Sequence, residues 1–278
     1  MFYYQELVIE HFVKNLKAAY QQMYSALEPQ FANIIEWTGR LALENIANSD
    51  SLYHNVEHTI LVTLAGQSIL KGKHILRGGV TPHDWLHVMM ALLCHDIGYV
   101  RGVCRADKRG EYATGIADQT VQISSDGTDA ALSPYHVDRS KLFVQERFGA
   151  HKLTAEVDAE LICAYIERTR FPVPGDEVYQ ATGDYAGLVR AADLIGQLGD
   201  LNYLRKTPAL FYEFEEIGMN QKLGYQSPGN LRSNFIKFYW EVAYPYLSDA
   251  MSYLDVTQEG KIWLANLYAH VHEVEHDL

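Results

Sequence analysis

The chain has 278 residues, 48% of them hydrophobic and 21% charged, the balance of a soluble globule large enough to bury a sizeable core. Lys and Arg total 23 against 35 Asp and Glu, a formal net charge of −12; a field of that sign repels phosphate backbones, so nucleic acid is not an expected partner. Cys94, Cys104 and Cys163 are odd in number and far apart, which excludes a disulfide framework and points to a reducing, cytoplasmic compartment.

Apolar residues recur at helical spacing almost throughout, and strict alternation is nearly absent. The opening MFYYQELVIEHFVKNLK lacks a basic region and carries Glu6 and Glu10 within its apolar part, so it is expected to start a helix and not to act as a signal peptide. In chain order the spacing predicts helices over 3–27, 31–48, 56–76, 82–97, 137–148, 155–167, 185–199, 202–217, 231–254 and 260–275. Thr81, Ser133 and Ser227 each precede a proline, the arrangement of an N-cap hydroxyl before a proline in the first turn, and Thr154 and Thr257 are further cap candidates. Gly78-Gly79, Gly149, Gly199 and Gly218 stand where helices should stop. The one long irregular stretch, 100–135, is expected to be a functional loop. No segment reaches the ~18 apolar residues of a membrane span. The expected fold is a single all-α domain over 1–278, with an aromatic-rich C-terminal extension, 201–278, packed on the first half.

Twelve histidines invite chance patterns, so context decides which matter. His95-Asp96 ends the apolar run VMMALLCHDIG, where a partly desolvated carboxylate needs a partner such as a metal; capping of the following loop is the alternative. His54 and His58, in YHNVEH, are four apart, which on a helix places both rings on one face. Asp193 is a lone acid in the apolar run LVRAADLIGQL; it ligates a metal or pairs with Arg190 three residues earlier. His83 and His87 share the i, i+4 spacing, but His87 lies about 12 Å before His95 by helical rise and is read as a core or solvated histidine. His272-Glu-Val-Glu-His276 matches HExxH, the zinc-peptidase helix, yet with no third ligand following it is read as a solvated helix.

The ordered set YHNxxH, LLCHDIG and AADLIGQ resembles the HD-domain metal-dependent phosphohydrolases, and YHNxxH with ALxxHD is most similar to class I cyclic-nucleotide phosphodiesterases. The resemblance covers about 50–200 and implies an HD-like helical bundle. It implies metal ligation by His58, His95, Asp96 and Asp193, with Asp96 also catalytic as the bridge between ions, and His54 as the acid that protonates the leaving oxygen. Two imidazoles and two carboxylates suit Zn, Mn or Fe; a second ion, Mg or Mn, would share Asp96. The phosphodiesterases place a second histidine in HDxxH where this chain has Tyr99. His136, with Ser140, resembles the HxxxS element of other HD hydrolases and is a candidate for the second ion, an exposed helix-start histidine being the alternative. Arg101, in a cluster with Arg105, Lys108 and Arg109, and Arg139 are candidates for phosphate binding, a solvated loop face being the alternative for the cluster. The expected activity is hydrolysis of a phosphoester, a 3′,5′-cyclic nucleotide or another small phosphorylated metabolite, with homodimerisation left open. A di-iron oxygenase on the same scaffold and a non-catalytic metal-containing regulatory module are the competing expectations.

Overall fold

A computed structural model of the chain describes residues 4–149 and 156–276. Helices α1 (Tyr4–Tyr24) and α2 (Pro29–Ile46) form an antiparallel pair, followed by α3 (Val56–Arg77) and α4 (Pro82–Cys94). Every residue of α4 from Trp85 to Cys94 is buried, and the helix packs against α2, α3, α6 and α7. A helix apolar on all sides must lie in the centre of a bundle, and α4 is that centre. Its start is fixed by a reciprocal capping box in which Thr81 Oγ1 accepts from Asp84 N, while Asp84 accepts from Thr81 N.

After α4 come a 3₁₀ turn (Ile97–Tyr99), a hairpin of β1 (Glu111–Ala113) and β2 (Thr120–Gln122), and a 3₁₀ segment (Asp129–Tyr135). The stretch expected as irregular thus holds a two-stranded antiparallel sheet, pairing Tyr112 with Val121; with three residues a side it is too short to carry an alternation signal. Ser133-Pro134 lies inside the 3₁₀ segment instead of capping α5 (His136–Phe148). Helix α6 (Ala159–Glu167) is capped by Asp158, whose side chain accepts from Leu161 N; Thr154 and Ala155 lie outside the described residues. Helix α7 (Tyr185–Leu198) lies along α3. A Cβ on Gly196 would sit 2.5 Å from Val62 Cα, so only glycine lets the two backbones approach this closely at the level of the site.

The C-terminal part comprises α8 (Tyr203–Glu216), α9 (Met219–Leu223), α10 (Pro228–Ser233), α11 (Phe235–Lys237), α12 (Ser248–Leu254) and α13 (Gln258–His276). The single helix expected over 231–254 is broken. A π-helical stretch (Phe238–Ala243) and a 3₁₀ turn (Tyr244–Tyr246) separate α11 from α12, and Pro245 cannot donate to a continuing α-helical ladder. The fold is all-α, as the periodicity implies. Among the described residues no helix is long and apolar enough to cross a membrane, and all three cysteines are buried free thiols.

Candidate metal centre

Four side chains meet at the C-terminal end of α4: His95 and Asp96 from that end, His58 from the first turn of α3 and Asp193 from the interior of α7. Asn55 caps α3, its Oδ1 accepting from Glu57 N and His58 N, which explains the asparagine of YHNVEH: it starts the helix that carries His58. His54 precedes the cap and is therefore not helical. The expected i, i+4 relation on one helix does not hold, yet the turn brings the two rings to 5.4 Å, nearly perpendicular. His95 is the C-cap of α4 and Asp96 follows it into the 3₁₀ turn. Gly98 is required here, since a Cβ would lie 2.0 Å from His136 O. Ser140 Oγ donates to His95 O and accepts from Gly98 N, so α5 stitches the His-Asp turn in place.

His58 Nε2 stands 3.3 Å from Asp96 Oδ2 and 3.4 Å from Asp193 Oδ1. His95 Nε2 stands 3.1 Å from Asp96 Oδ2 and 3.5 Å from Asp193 Oδ1. Two sets of ligand atoms gather within 4.8 Å of one another, one from His58, His95 and Asp193, the other from His54, His58 and Asp96. The other oxygen of Asp96, Oδ1, faces His136 Nε2 at 3.8 Å. Asp193 does not pair with Arg190: its partners are the two imidazoles.

This donor set fits a divalent ion. His95 Nδ1 donates to Leu92 O and His136 Nδ1 to Ser133 O, which turns Nε2 of both rings inward. His95 Nε2 and Asp96 Oδ2 are buried with no hydrogen-bond partner, although only 3.1 Å separates them. Buried carboxylates beside inward-facing imidazole nitrogens call for a positive charge among them, which a proton on the ring or a bound cation can supply. The charge state of the cluster carries the same message. Burial works against the imidazolium of His95, but Asp96 and Asp193 outweigh it and raise its pKa well above the ordinary range. Burial also works against the Asp193 carboxylate, yet the imidazoles hold it down to about 2. For His136, burial first and then the charges of His54 and His95 lower the pKa, so it is neutral and able to ligate.

His54 is set differently. Its Nδ1 donates to Glu213 Oε2 at 2.5 Å, while Glu213 Oε1 accepts from Tyr53 N and His54 N. Burial alone would lower the pKa of His54; the Glu213 carboxylate, aided by Asp96 and Asp193, pushes it up to about 9. Glu213 lies on α8, buried, and was not among the residues expected in the site. The only local signal was an acid three residues after the buried Leu210 on the apolar face of α8. Tyr99 is sandwiched between His54, 4.5 Å and nearly parallel, and His136, 4.6 Å away; its hydroxyl meets Ser133 Oγ at 3.2 Å.

The arginines do not join this cluster. Arg139 is wholly buried, and its donors are taken by Gly98 O, Val100 O, Ala113 O and both oxygens of Asp107. The expectation that it holds phosphate is therefore corrected: it staples the loop after the His-Asp turn. Arg101 is bound by Asp129, by Asp50 at 2.6 Å and by Gly127 O, a pairing that anchors the loop. Arg105 is engaged by Glu146, so the cluster's arginines diverge. His87 is a satisfied core histidine, donating to His83 O and accepting from Asp158 N. On α13, His272 and His276 stack at the surface and Glu273 pairs with Arg232, the solvated helix expected of the HExxH segment.

The chain belongs to the Npun_R2479-like family, whose sequence profile matches residues 2–277. No curated protein matches it.

Proposed function

We propose that the protein is a metal-dependent phosphohydrolase of the HD-domain kind, cleaving a small phosphoester. The observation that carries this reading is the inward-facing donor set of His58, His95, Asp96 and Asp193, with an imidazole held protonated beside it by Glu213. These four side chains would hold a first divalent ion, and Asp96 Oδ1 with His136 would contribute to a second. When bound, such ions supply an activated water and neutralise the phosphoryl oxygens.

The chain's own groups account for the rest of the chemistry. Hydrolysis of a phosphoester leaves an alkoxide that must gain a proton, and His54 is the donor. Its Nδ1 is committed to Glu213, so the other ring nitrogen presents the proton to the leaving oxygen. The negative charge of Glu213 keeps the ring cationic until transfer and keeps it oriented afterwards, when it is recharged from water. Tyr99, stacked on both rings, restricts their rotation and narrows the space between His54 and His136.

The test joins elemental analysis of the purified chain to a screen of cyclic nucleotides, nucleotide monophosphates and sugar phosphates with Mn²⁺ or Mg²⁺. Stoichiometric transition metal and turnover of at least one ester are expected. Asp96→Ala should lose both the metal and the activity while retaining its helical circular dichroism. Metal-loaded protein that hydrolyses nothing in the panel, or iron-dependent oxygen consumption instead, would overturn the reading.

A further inference from the structure

Arg190, the residue that could have neutralised Asp193, has another environment. It is 2% exposed, on α7. Its Nη1 donates to Tyr179 O at 2.6 Å and its Nη2 to Ala181 O at 3.1 Å. Its guanidinium lies 4.0 Å over the ring of Tyr246, while Nε has no partner. Arg190 has no ion pair among the described residues.

A second guanidinium engages the same tyrosine, Tyr179. Arg168, the C-cap of α6 and 7% exposed, lies over the ring of Tyr179, whose carbonyl Arg190 holds. Its Nη1 is also buried without a partner. Its one carboxylate is Asp184, 3.2 Å from Nη2, with a side chain 48% exposed. The other oxygen of Asp184 accepts from Gly187 N as the cap of α7. Two buried cations are thus set against one half-exposed anion, in a chain carrying 35 acidic residues. Uncompensated buried charge is costly, and backbone carbonyls and aromatic faces offset only part of it. The crowding also registers on Arg190, whose pKa is pushed down to about 10, by burial first and by Arg168 next.

We propose that Arg168 and Arg190 form an anion site for a compact tetrahedral oxyanion such as inorganic phosphate, enclosed by the 179–184 segment and separate from the His/Asp cluster. Paired guanidiniums are the side chains best suited to an oxyanion, because their planar forks donate to several oxygens at once. The unpartnered Nε of Arg190 and Nη1 of Arg168 are the donors left for it. Both are shielded from water, which favours a bare ion over an ester with a bulky substituent. The bound ion would tie the end of α6 to the start of α7, the helix that carries Asp193.

Calorimetric titration of the full chain with inorganic phosphate tests this, after chelation and desalting so that no ion at the His/Asp cluster contributes, and at constant ionic strength against chloride. One saturable site per chain is expected, with slower amide exchange over 179–184. Arg190→Gln and Arg168→Gln should each weaken binding about tenfold or more, the effect of losing a charge-assisted bond, while Arg40→Gln should not. Absence of saturable binding, affinity kept in both variants, or protection confined to another segment would overturn the site. If Arg190→Gln does not fold, Arg168→Gln and the exchange pattern of the unaltered chain decide. The outcome does not depend on whether any phosphoester is hydrolysed, so this site and the proposed activity can fail separately.

Discussion

His54 and Glu213 are separated by 159 positions in the chain and by 2.5 Å in space. In the proposed reaction the two act as a unit, and their substitutions should share a signature. His54→Ala is expected to keep the metal and slow hydrolysis about 10²–10⁴-fold, with a far smaller loss on an activated nitrophenyl ester whose leaving group needs no proton. Glu213→Gln keeps an acceptor for Tyr53 N and His54 N but removes the charge, so a loss of about 10–100-fold with the same dependence on leaving group is expected. Comparison of kcat on the two ester types checks both; an equal loss on both esters would count against His54 as the acid. At this scale the sequence is partly legible. His58, His95, Asp96 and Asp193 stand out because each is a polar ligand at the edge of, or within, an apolar helix, where a polar group must be capped, paired or bound to an ion, although the chain alone does not choose between these for Asp96 and Asp193. Glu213 does not stand out, since nothing near it in the chain reveals that its partner is a turn in front of α3. Arg139 misleads for the complementary reason: the backbone carbonyls that saturate it come from a loop whose path no local pattern encodes.

The helices place these residues through a few close approaches and one ionic clamp. Gly98→Ala would drive a methyl group into His136 O, and the 3₁₀ turn could relieve the clash only by leaving α5. A loss of about 1–3 kcal/mol in urea unfolding is expected, with weakened metal binding because Asp96 shares that turn. The clamp joins α5 to the end of α6: Glu167 accepts from Arg170, Lys141 and Tyr179, while Asp138 pairs with Lys141 and Arg170. Burial disfavours the Glu167 carboxylate, but these donors outweigh it and hold its pKa down to about 2. A carboxyl titrating lower in the folded than in the unfolded chain stabilises the fold above the ordinary carboxylate range, and that contribution is lost as pH falls towards 2. Glu167→Gln should therefore have a lower urea midpoint than the unaltered chain at pH 6, with the gap closing by pH 2.5; a gap independent of pH would mean the clamp acts by packing alone. Helix identity was legible wherever apolar periodicity was strong, as in α3, α4 and α7. It failed over 231–254, where aromatic residues keep a helical rhythm while Pro245 and the π-helical stretch break the ladder.

Across the whole molecule, the site is not confined to the 50–200 stretch that carries the motifs. Helix α8 supplies Glu213 to His54 and Glu216 to Thr128, so the aromatic-rich C-terminal part completes the centre besides covering it. The all-α architecture and the core of α4 could be anticipated from composition and spacing, because burial on every side leaves an uninterrupted apolar run. How α8 returns to the front of α3 could not, since that return rests on contacts between distant segments.

The burial of α4 has a consequence of its own. His95 and Asp96 are delivered by the most deeply embedded part of the bundle, whereas His54 lies on a non-helical turn held by Glu213 of α8 and by stacking on Tyr99. Regions of a protein open with unequal free energies, the interior last. Warming should therefore disable the centre in two steps, catalytic turnover disappearing first and the bound ion escaping only when the bundle itself melts. Parallel records of activity and metal release against temperature would show two separated midpoints; a shared midpoint would mean that acid and ligands belong to one cooperative unit.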